Sequence, residues 1–138
     1  MKKKFQNLSK GQTLFQLRNK IKNFTVPNLL VIKLSDWKKN RNKVLDSIKD
    51  TYIYSNFTPK LAIRSSSQNE DGLVESSAGK YLSLLNINTN NDKEIISAIN
   101  KVIKSYKLKK NHKNSSEIII QEMIEKTIIS GVIFTYEI

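Results

Sequence analysis

The sequence predicts an α+β domain, because stretches with apolar residues at helical spacing alternate with short apolar runs of strand length. The chain has 138 residues, which gives room for one hydrophobic core, or for a core and a small lobe, but not for two full domains. Hydrophobic residues make up 38% of the chain and glycine and proline are few, so the composition is that of a globular protein.

The first half of the chain predicts two helices with a strand between them. Apolar positions at helical spacing indicate a helix within residues 11–23. A compact apolar run within 28–34 indicates a buried strand. Ser35 is then a candidate N-cap for one helix whose apolar residues lie between positions 37 and 48.

The second half begins with two strands around a long loop. A strand is predicted at 60–63, directly after Pro59. The loop over 64–79 is long for a compact domain, and such loops are often functional. A returning strand is predicted at 81–87.

The last third predicts a helix and two strand-like runs. Asn91-Asp92 is a helix start signal, and apolar residues at helical spacing follow it as far as Tyr106. The runs 117–124 and 128–134 are separated by three residues and predict a hairpin or a close antiparallel pair.

The formal net charge of +12 raises the question of nucleic-acid binding, which Lys and Arg drive by neutralising phosphates. The lysines are spread along the chain rather than gathered in a stripe. There is no basic motif interleaved with aromatic residues, and no zinc-finger or basic-zipper pattern. These observations disfavour a nucleic-acid partner, and a basic nucleic-acid binder is kept as a third alternative.

The absence of cysteine excludes disulfides, thiolate catalysis and thiolate zinc sites. The single histidine, His112, lies in a polar run and is predicted to be a solvated loop residue. No run approaches the length of a membrane span, and the basic start lacks the apolar core of a secretory signal. We therefore expect a cytoplasmic protein with no membrane partner.

The segment from Leu61 to Gly72 suggests phosphate binding, because a short apolar strand runs into an arginine, three serines and an acidic pair. Arg64 offers a planar fork of donors for two phosphate oxygens, and the hydroxyls of 65–67 are small donors. The acidic pair fits a clamp on neighbouring cations and amides, or a partner of a metal ion. An ordinary serine-rich turn is the alternative.

A second candidate lies at the start of the first predicted helix, at Lys10-Gly11. Free backbone amides and the positive end of the helix dipole favour an anion at such a place. The alternative for Lys10 is a surface lysine near the terminus.

The polar loop also carries the motifs of a known family. Residues 64–71 read Arg-Ser-Ser-Ser-Gln-Asn-Glu-Asp, against Arg-Ser-Ser-Ala-Thr-x-Glu-Asp in the family. Residues 76–87 read Ser-Ser-Ala-Gly-Lys-Tyr-Leu-Ser-Leu-Leu-Asn-Ile, against Ser-Phe-Ala-Gly-Gln with an aromatic and then Thr-Phe-Leu-Asn-Val.

Three further segments follow the same family in the same order. Residues 8–14 and Val26-Pro27 correspond to Gly-Gly-Lys-Gly-x-x-Leu and Val-Pro, and residues 119–124 correspond to Val-Gln-x-Met-Val. Residues 130–135 correspond to Ser-Gly-Val-x-Phe-Thr. Over almost its whole length, the chain resembles the N-terminal nucleotide-binding domain of the phosphoenolpyruvate synthase and pyruvate phosphate dikinase family.

The resemblance implies an ATP-grasp-like fold that is incomplete at its C-terminus. Its front lobe would span about 1–110, and a hinge and the start of a second lobe would span about 115–138. It also implies a set of ATP-binding residues, which are Lys10, Arg64, Gly79, Ser83, Gln121 and Met123.

Roles within this set are implied as well. Arg64 would hold the transferred phosphates and is the candidate catalytic residue. The segment from Gln121 to Met123 would read the adenine edge through backbone groups, with the methionine side chain over the face of the base. From the residues alone, Met123 also fits a core methionine, and Gly79 fits a turn that needs a positive φ.

The chain departs from the family pattern in two ways. Leu8 and Ser9 stand where the family has two glycines, which would make the loop stiffer. The family's magnesium ligands lie downstream of the Phe-Thr motif, so we expect Mg²⁺ to be held beyond residue 138 and predict no metal ligand here. The phosphohistidine and acceptor domains are also missing, and we expect this chain alone to be inactive.

We therefore predict the ATP-binding N-terminal portion of a dikinase-type phosphotransferase. Such an enzyme moves a phosphoryl group from ATP, through a phosphohistidine domain, to pyruvate or another small acceptor. One alternative is a noncatalytic nucleotide-binding fragment, and another is a piece of a small-metabolite kinase that acts on an amino acid or an antibiotic.

Overall fold

The computed structural model describes residues 8–53, 60–66, 82–107, 116–124 and 126–131. Within these ranges the helices are α1 (Lys10–Leu17), α2 (Leu34–Lys39), α3 (Arg41–Tyr52) and α4 (Asp92–Lys107). The strands are β1 (Leu29–Lys33), β2 (Lys60–Ser66), β3 (Ser83–Asn88) and β4 (Glu117–Glu122).

The four strands form one antiparallel sheet in the order β1-β4-β2-β3. The last strand in the chain, β4, therefore lies in the middle of the sheet, between β1 and β2. Helices and an antiparallel sheet together confirm the α+β prediction. No helix in the described part of the chain is both long enough and apolar enough to cross a membrane.

One side of the sheet, here called the core face, packs against α3 and α4. Ile118 and Ile120 of β4 and Leu61 and Ile63 of β2 are fully buried there. They share one cluster with apolar side chains of the helices, among them Ile48, Ile95, Ile99 and Val102. The burial of this cluster is the main favourable term in the stability of the domain.

The other side of the sheet, here called the α1 face, carries α1 over β1 and β4. Side chains alternate along a strand, so the neighbours of the core-face residues point to this side. They are Leu29, Val31 and Lys33 of β1, Glu117, Ile119 and Gln121 of β4, and Ala62, Arg64 and Ser66 of β2. Ser83 of β3 joins them, because it pairs with Arg64.

The prediction of one helix capped by Ser35 was wrong. Two helices, α2 and α3, meet at Asn40, whose side chain accepts a hydrogen bond from the Lys43 amide at 3.1 Å and so caps α3. Ser35 lies inside α2, and its hydroxyl donates to Asp36 at 3.4 Å. An asparagine competes well for the N-cap position, and this one starts a new helix.

The strand predicted at 60–63 extends to Ser66, so Arg64 lies in a strand and not in the predicted loop. The first helix is shorter than predicted, because α1 ends at Leu17 and turns follow it. The rest of the predicted loop, 67–81, lies outside the described residues.

The strands predicted near 28–34 and 81–87 and the helix after Asn91 are confirmed. The first of the two final runs forms β4, whereas residues 128–131 of the second lie in no strand and 132–134 lie outside the described residues. The division into a front lobe of about 1–110 and a second lobe of about 115–138 stays a prediction. Residues 117–122 belong to the same sheet as β1, β2 and β3.

Candidate functional site

Arg64 lies near the middle of the α1 face. It pairs with Ile119 of β4 on one side and with Ser83 of β3 on the other. Its side chain is half-buried, and its guanidinium makes no hydrogen bond or ion pair with any described residue. A cation in this position, with five donors and no partner among the described residues, is suited to an anionic ligand.

The start of α1 lies close to Arg64. Two residues further along β2, the hydroxyl of Ser66 accepts a hydrogen bond from the amide of Gly11 at 2.9 Å. Two residues of a strand span about 7 Å, so the amide of Gly11 contacts β2 at a position about that far along the strand from Arg64. This contact brings the start of α1, where Lys10 lies, to the strand that carries Arg64, 54 positions later in the chain.

The close approach of α1 to the sheet depends on Gly11, which is buried. A Cβ atom at this position would come within 3.0 Å of side-chain carbons of both Val31 and Ile119, and within 3.2 Å of the Ser66 hydroxyl. The absence of a side chain therefore lets the first turn of α1 lie directly on β1, β4 and the end of β2.

A buried carboxylate, that of Glu117, anchors the same turn. Glu117 is only 4% exposed. Its Oε2 accepts a hydrogen bond from the hydroxyl of Ser9, and its Oε1 accepts one from the side-chain amide of Gln12. A buried carboxylate with two donors is largely compensated for the loss of water, and its negative charge lies near the positive end of α1.

The prediction that the first amides of α1 are free to bind an anion was wrong for the two amides that the structure accounts for. The amide of Gly11 donates to Ser66, and the amide of Gln12 donates to the hydroxyl of Ser9, which is the N-cap. With Glu117 beside them, these groups are satisfied within the protein. The side chain of Lys10, rather than the helix terminus, remains the candidate for an anion.

Tyr106 of α4 joins the end of β2 to the start of β4 from the core face of the sheet. Its hydroxyl accepts a hydrogen bond from the Ser66 amide at 2.6 Å and donates one to the Glu117 carbonyl. Tyr106 is 2% exposed, so these bonds form in a dry environment where they are worth most. The strand end that follows Arg64 is therefore fixed from both faces of the sheet.

Gln121 and Met123 lie at the other end of the α1 face. Gln121 pairs with Ala62, two residues before Arg64, and is half-buried. The pairing continues past β4, because the Met123 amide donates to the Lys60 carbonyl at 2.8 Å. The sulfur of Met123 accepts a hydrogen bond from the amide of Asn86, so its side chain reaches across β2 to β3.

A bulge in β3 makes that contact available. The pairing of β2 with β3 shifts register between Leu61 and Ile63, and Asn86 has a φ of 61°. Asparagine tolerates this left-handed conformation better than most residues, and the bulge releases its amide from the ladder. Met123 then covers the exposed amide with a soft, adaptable side chain.

The prediction that backbone amides of this segment read an adenine edge was wrong for two of them. The Met123 amide is bound to Lys60, and the Glu122 amide donates to the Asn28 carbonyl at 3.0 Å. A central strand has neighbours on both sides, so its backbone groups form hydrogen bonds within the sheet. The remaining backbone groups of the segment, among them the Met123 carbonyl beyond the end of β4, stay candidates for such a contact.

The α1 face thus carries five of the six predicted ATP-binding residues, which are Lys10, Arg64, Ser83, Gln121 and Met123. The sixth, Gly79, lies outside the described residues. Glu117 was missed by the sequence reading, since a lone acidic residue at a strand start gives no local signal that it is buried.

Magnesium ligands are not assigned to this face. In the described parts of the chain, no three side chains of the His, Cys, Asp and Glu type come together in a way that could hold a metal ion. The carboxylate of Glu117 is engaged by Ser9 and Gln12.

Comparison with protein families gives one match. The model of the family described as "Pyruvate phosphate dikinase, AMP/ATP-binding domain" matches residues 12–138. No curated protein and no solved structure matches the chain. The matched stretch includes every described strand and all of the helices after α1.

Proposed function

Because the chain belongs to the family of pyruvate phosphate dikinase AMP/ATP-binding domains, we propose that ATP lies along its α1 face. The observation that carries this proposal is the sheet register, which aligns Arg64 with Ser83 and lays Gln121 two residues away on the same side. One extended ligand can contact all three side chains.

The phosphates bind at the end of the face near α1. Arg64 supplies a guanidinium for two phosphate oxygens, and the Lys10 ammonium adds a second charge from the start of the helix. The hydroxyl of Ser83, next to Arg64 across the strand pair, is a small donor on the same row. Glu117, the buried carboxylate beside α1, sets one negative charge against the two positive charges of Arg64 and Lys10.

The adenine binds at the opposite end of the face. The side-chain amide of Gln121 has both a donor and an acceptor, so it can pair with the edge of the base. Met123 offers a thioether that packs against the flat face of a ring. Ala62 lies between them and Arg64 on the same face of the sheet.

The reaction served by this site is phosphoryl transfer from ATP. The acceptor of the first transfer is a histidine of a phosphohistidine domain, and the final acceptor is pyruvate or another small molecule. Arg64 and Lys10 would hold and neutralise the phosphates during transfer. Mg²⁺, when bound, supplies further neutralisation of the phosphate charge.

Isothermal titration calorimetry with ATP tests the proposal. Replacing Arg64 by Ala should weaken ATP binding about tenfold or more, since a charge-assisted hydrogen bond contributes roughly 1.5 to 3 kcal/mol. Arg64→Lys should remain weak, because an ammonium lacks the bidentate fork.

Arg41→Ala is the matched control. It removes the same charge from an exposed residue that lies over the ring of Trp37, in the α2 and α3 region. The proposal requires that this variant bind ATP as the wild type does. Equal ATP affinity in wild type and Arg64→Ala would remove Arg64 from the site.

A further inference from the structure

The strand β1 has an open edge. In the described part of the chain it pairs with β4 only, and it is the outer strand of the sheet. Two bonds flank the pairing, from the Glu122 amide to the Asn28 carbonyl and from the Leu34 amide to the Ser116 carbonyl. Hydrogen-bonded positions alternate along an antiparallel pair, so the even-numbered residues from 28 to 34 bond to β4. The backbone amides of Val31 and Lys33 therefore point away from β4, toward the open edge.

The open edge is flanked by a cleft on each side of the sheet. One cleft, of about 490 Å³, lies between α1 and β1, and Phe15 and Val31 line it. The other, of about 480 Å³, lies between β1 and the α2 and α3 helices, and Ile32 lines it. Leu30 and Val31 border both clefts, so the two spaces meet at the edge of the strand.

The two clefts differ in chemistry. On the α1 side, Phe15 is 59% exposed, which leaves much of an aromatic ring in water beside Val31. On the other side, Lys39 and Lys43 stand at the rim against a single acid, Asp36. The first cleft therefore exposes mainly apolar surface, although Lys33 and Glu117 also line it, and the second has a basic rim.

We propose that the β1 edge binds an extended peptide in which apolar and acidic residues alternate. The peptide adds a fifth strand to the sheet through the outward backbone groups of β1. Its alternate side chains then fall on opposite faces, the apolar ones beside Phe15 and the acidic ones beside Lys39 and Lys43. A second copy of this chain fits less well, because two chains with a net charge of +12 repel each other.

Fluorescence anisotropy with a labelled eight-residue peptide of alternating Val and Glu tests the proposal. A peptide with the four valines before the four glutamates has the same charge and composition. The alternating peptide should bind the 138-residue chain at least about tenfold more tightly. Equal affinity for the two peptides would overturn the proposal, because it would reduce binding to net charge.

Charge reversal locates the acidic side chains. The double variant Lys39→Glu, Lys43→Glu should weaken binding of the alternating peptide about tenfold. The control variant Lys101→Glu, Lys104→Glu changes the net charge equally at two exposed residues of α4. If the control weakened binding as much as the first variant, the proposed location would be wrong.

Substitution of Lys33 tests the backbone contact. The residue has a φ of −74°, which proline adopts without strain, and its amide does not bond to β4. Lys33→Pro should bind the alternating peptide about fivefold more weakly than Lys33→Ala, which loses the charge but keeps the amide. Equal binding by these two variants would exclude strand addition at this end of β1.

Discussion

The two faces of the sheet are made from the same strands but differ in composition. On the core face, Ile63 and Ile120 pair directly, and both are fully buried under the helices. On the α1 face, the neighbouring Arg64 is half-buried, and its charge has no partner among the described residues. One face of β2 and β4 therefore holds the domain together, while the other carries the polar side chains proposed to contact ATP.

This difference shows how a short strand can serve two purposes. A step of one residue along β2, from Ile63 to Arg64, moves from the core to the candidate site. Mutations at such neighbours should therefore separate stability from binding.

The largest effect is expected from Ile63→Ala. Removal of a fully buried isoleucine should lower the free energy of unfolding by about 2 to 5 kcal/mol, because it leaves a cavity in the core. Arg64→Ala should change it by less than about 1 kcal/mol, since half-buried polar residues without bonds add little. Urea denaturation of both variants measures the contrast, and similar losses in the two would contradict it.

A smaller loss of stability is expected on the α1 face, at Glu117. Glu117→Ala leaves the buried hydroxyl of Ser9 and the side-chain amide of Gln12 without their acceptor. This should lower the free energy of unfolding by about 1 to 3 kcal/mol. Glu117→Gln keeps the size and one acceptor oxygen, so it should cost less. Urea denaturation again gives the values. If the alanine variant were as stable as wild type, the network would not anchor α1.

The smallest effect is expected from Tyr52→Phe, which removes the hydroxyl that donates to the carbonyls of Ile120 and Asn28. The Tyr52 hydroxyl donates to the Ile120 carbonyl at 2.6 Å, so its loss should cost about 0.5 to 1.5 kcal/mol near neutral pH. Phenylalanine keeps the ring and its packing, so the change reports on the hydroxyl.

The same residue gives a pH dependence. Burial, and to a smaller extent the Glu122 carboxylate, raises the pKa of Tyr52 above its ordinary value of 10.0. The unfolded chain therefore loses this proton first, and the contribution to stability is complete below pH 10 and declines as the pH rises further. Between pH 8 and pH 11, the free energy of unfolding should decrease less in Tyr52→Phe than in wild type. Parallel curves of the free energy against pH would contradict this.

Local signals were enough to predict most helices and strands. The helix after Asn91 was predicted from its start signal, and the Asn91 side chain indeed accepts a hydrogen bond from the Glu94 amide. The break at Asn40 was missed, because an asparagine within a helical pattern is only a weak signal for a new cap. Local patterns did not reveal that β2 extends to Ser66.

The reason lies in contacts that are distant in sequence. Ser66 can be buried at the end of β2 because its hydroxyl accepts a hydrogen bond from the Gly11 amide, 55 positions earlier in the chain. Glu117 is buried because Ser9 and Gln12 reach it across more than 100 positions. These partners lie too far away in the sequence to affect a local pattern. The pattern alone therefore predicted a loop at Ser66 and gave no signal that Glu117 is buried.

The position of the nucleotide can be measured directly through Met123. The chain has two methionines, Met1 and Met123, so a sample labelled with ¹³C on the methionine methyl groups gives two signals in an NMR spectrum, and Met123→Leu assigns them. We predict that ATP shifts the Met123 signal in a saturable manner, and that Arg64→Ala raises the ATP concentration needed. A Met123 signal that does not move at saturating ATP would contradict binding along the α1 face.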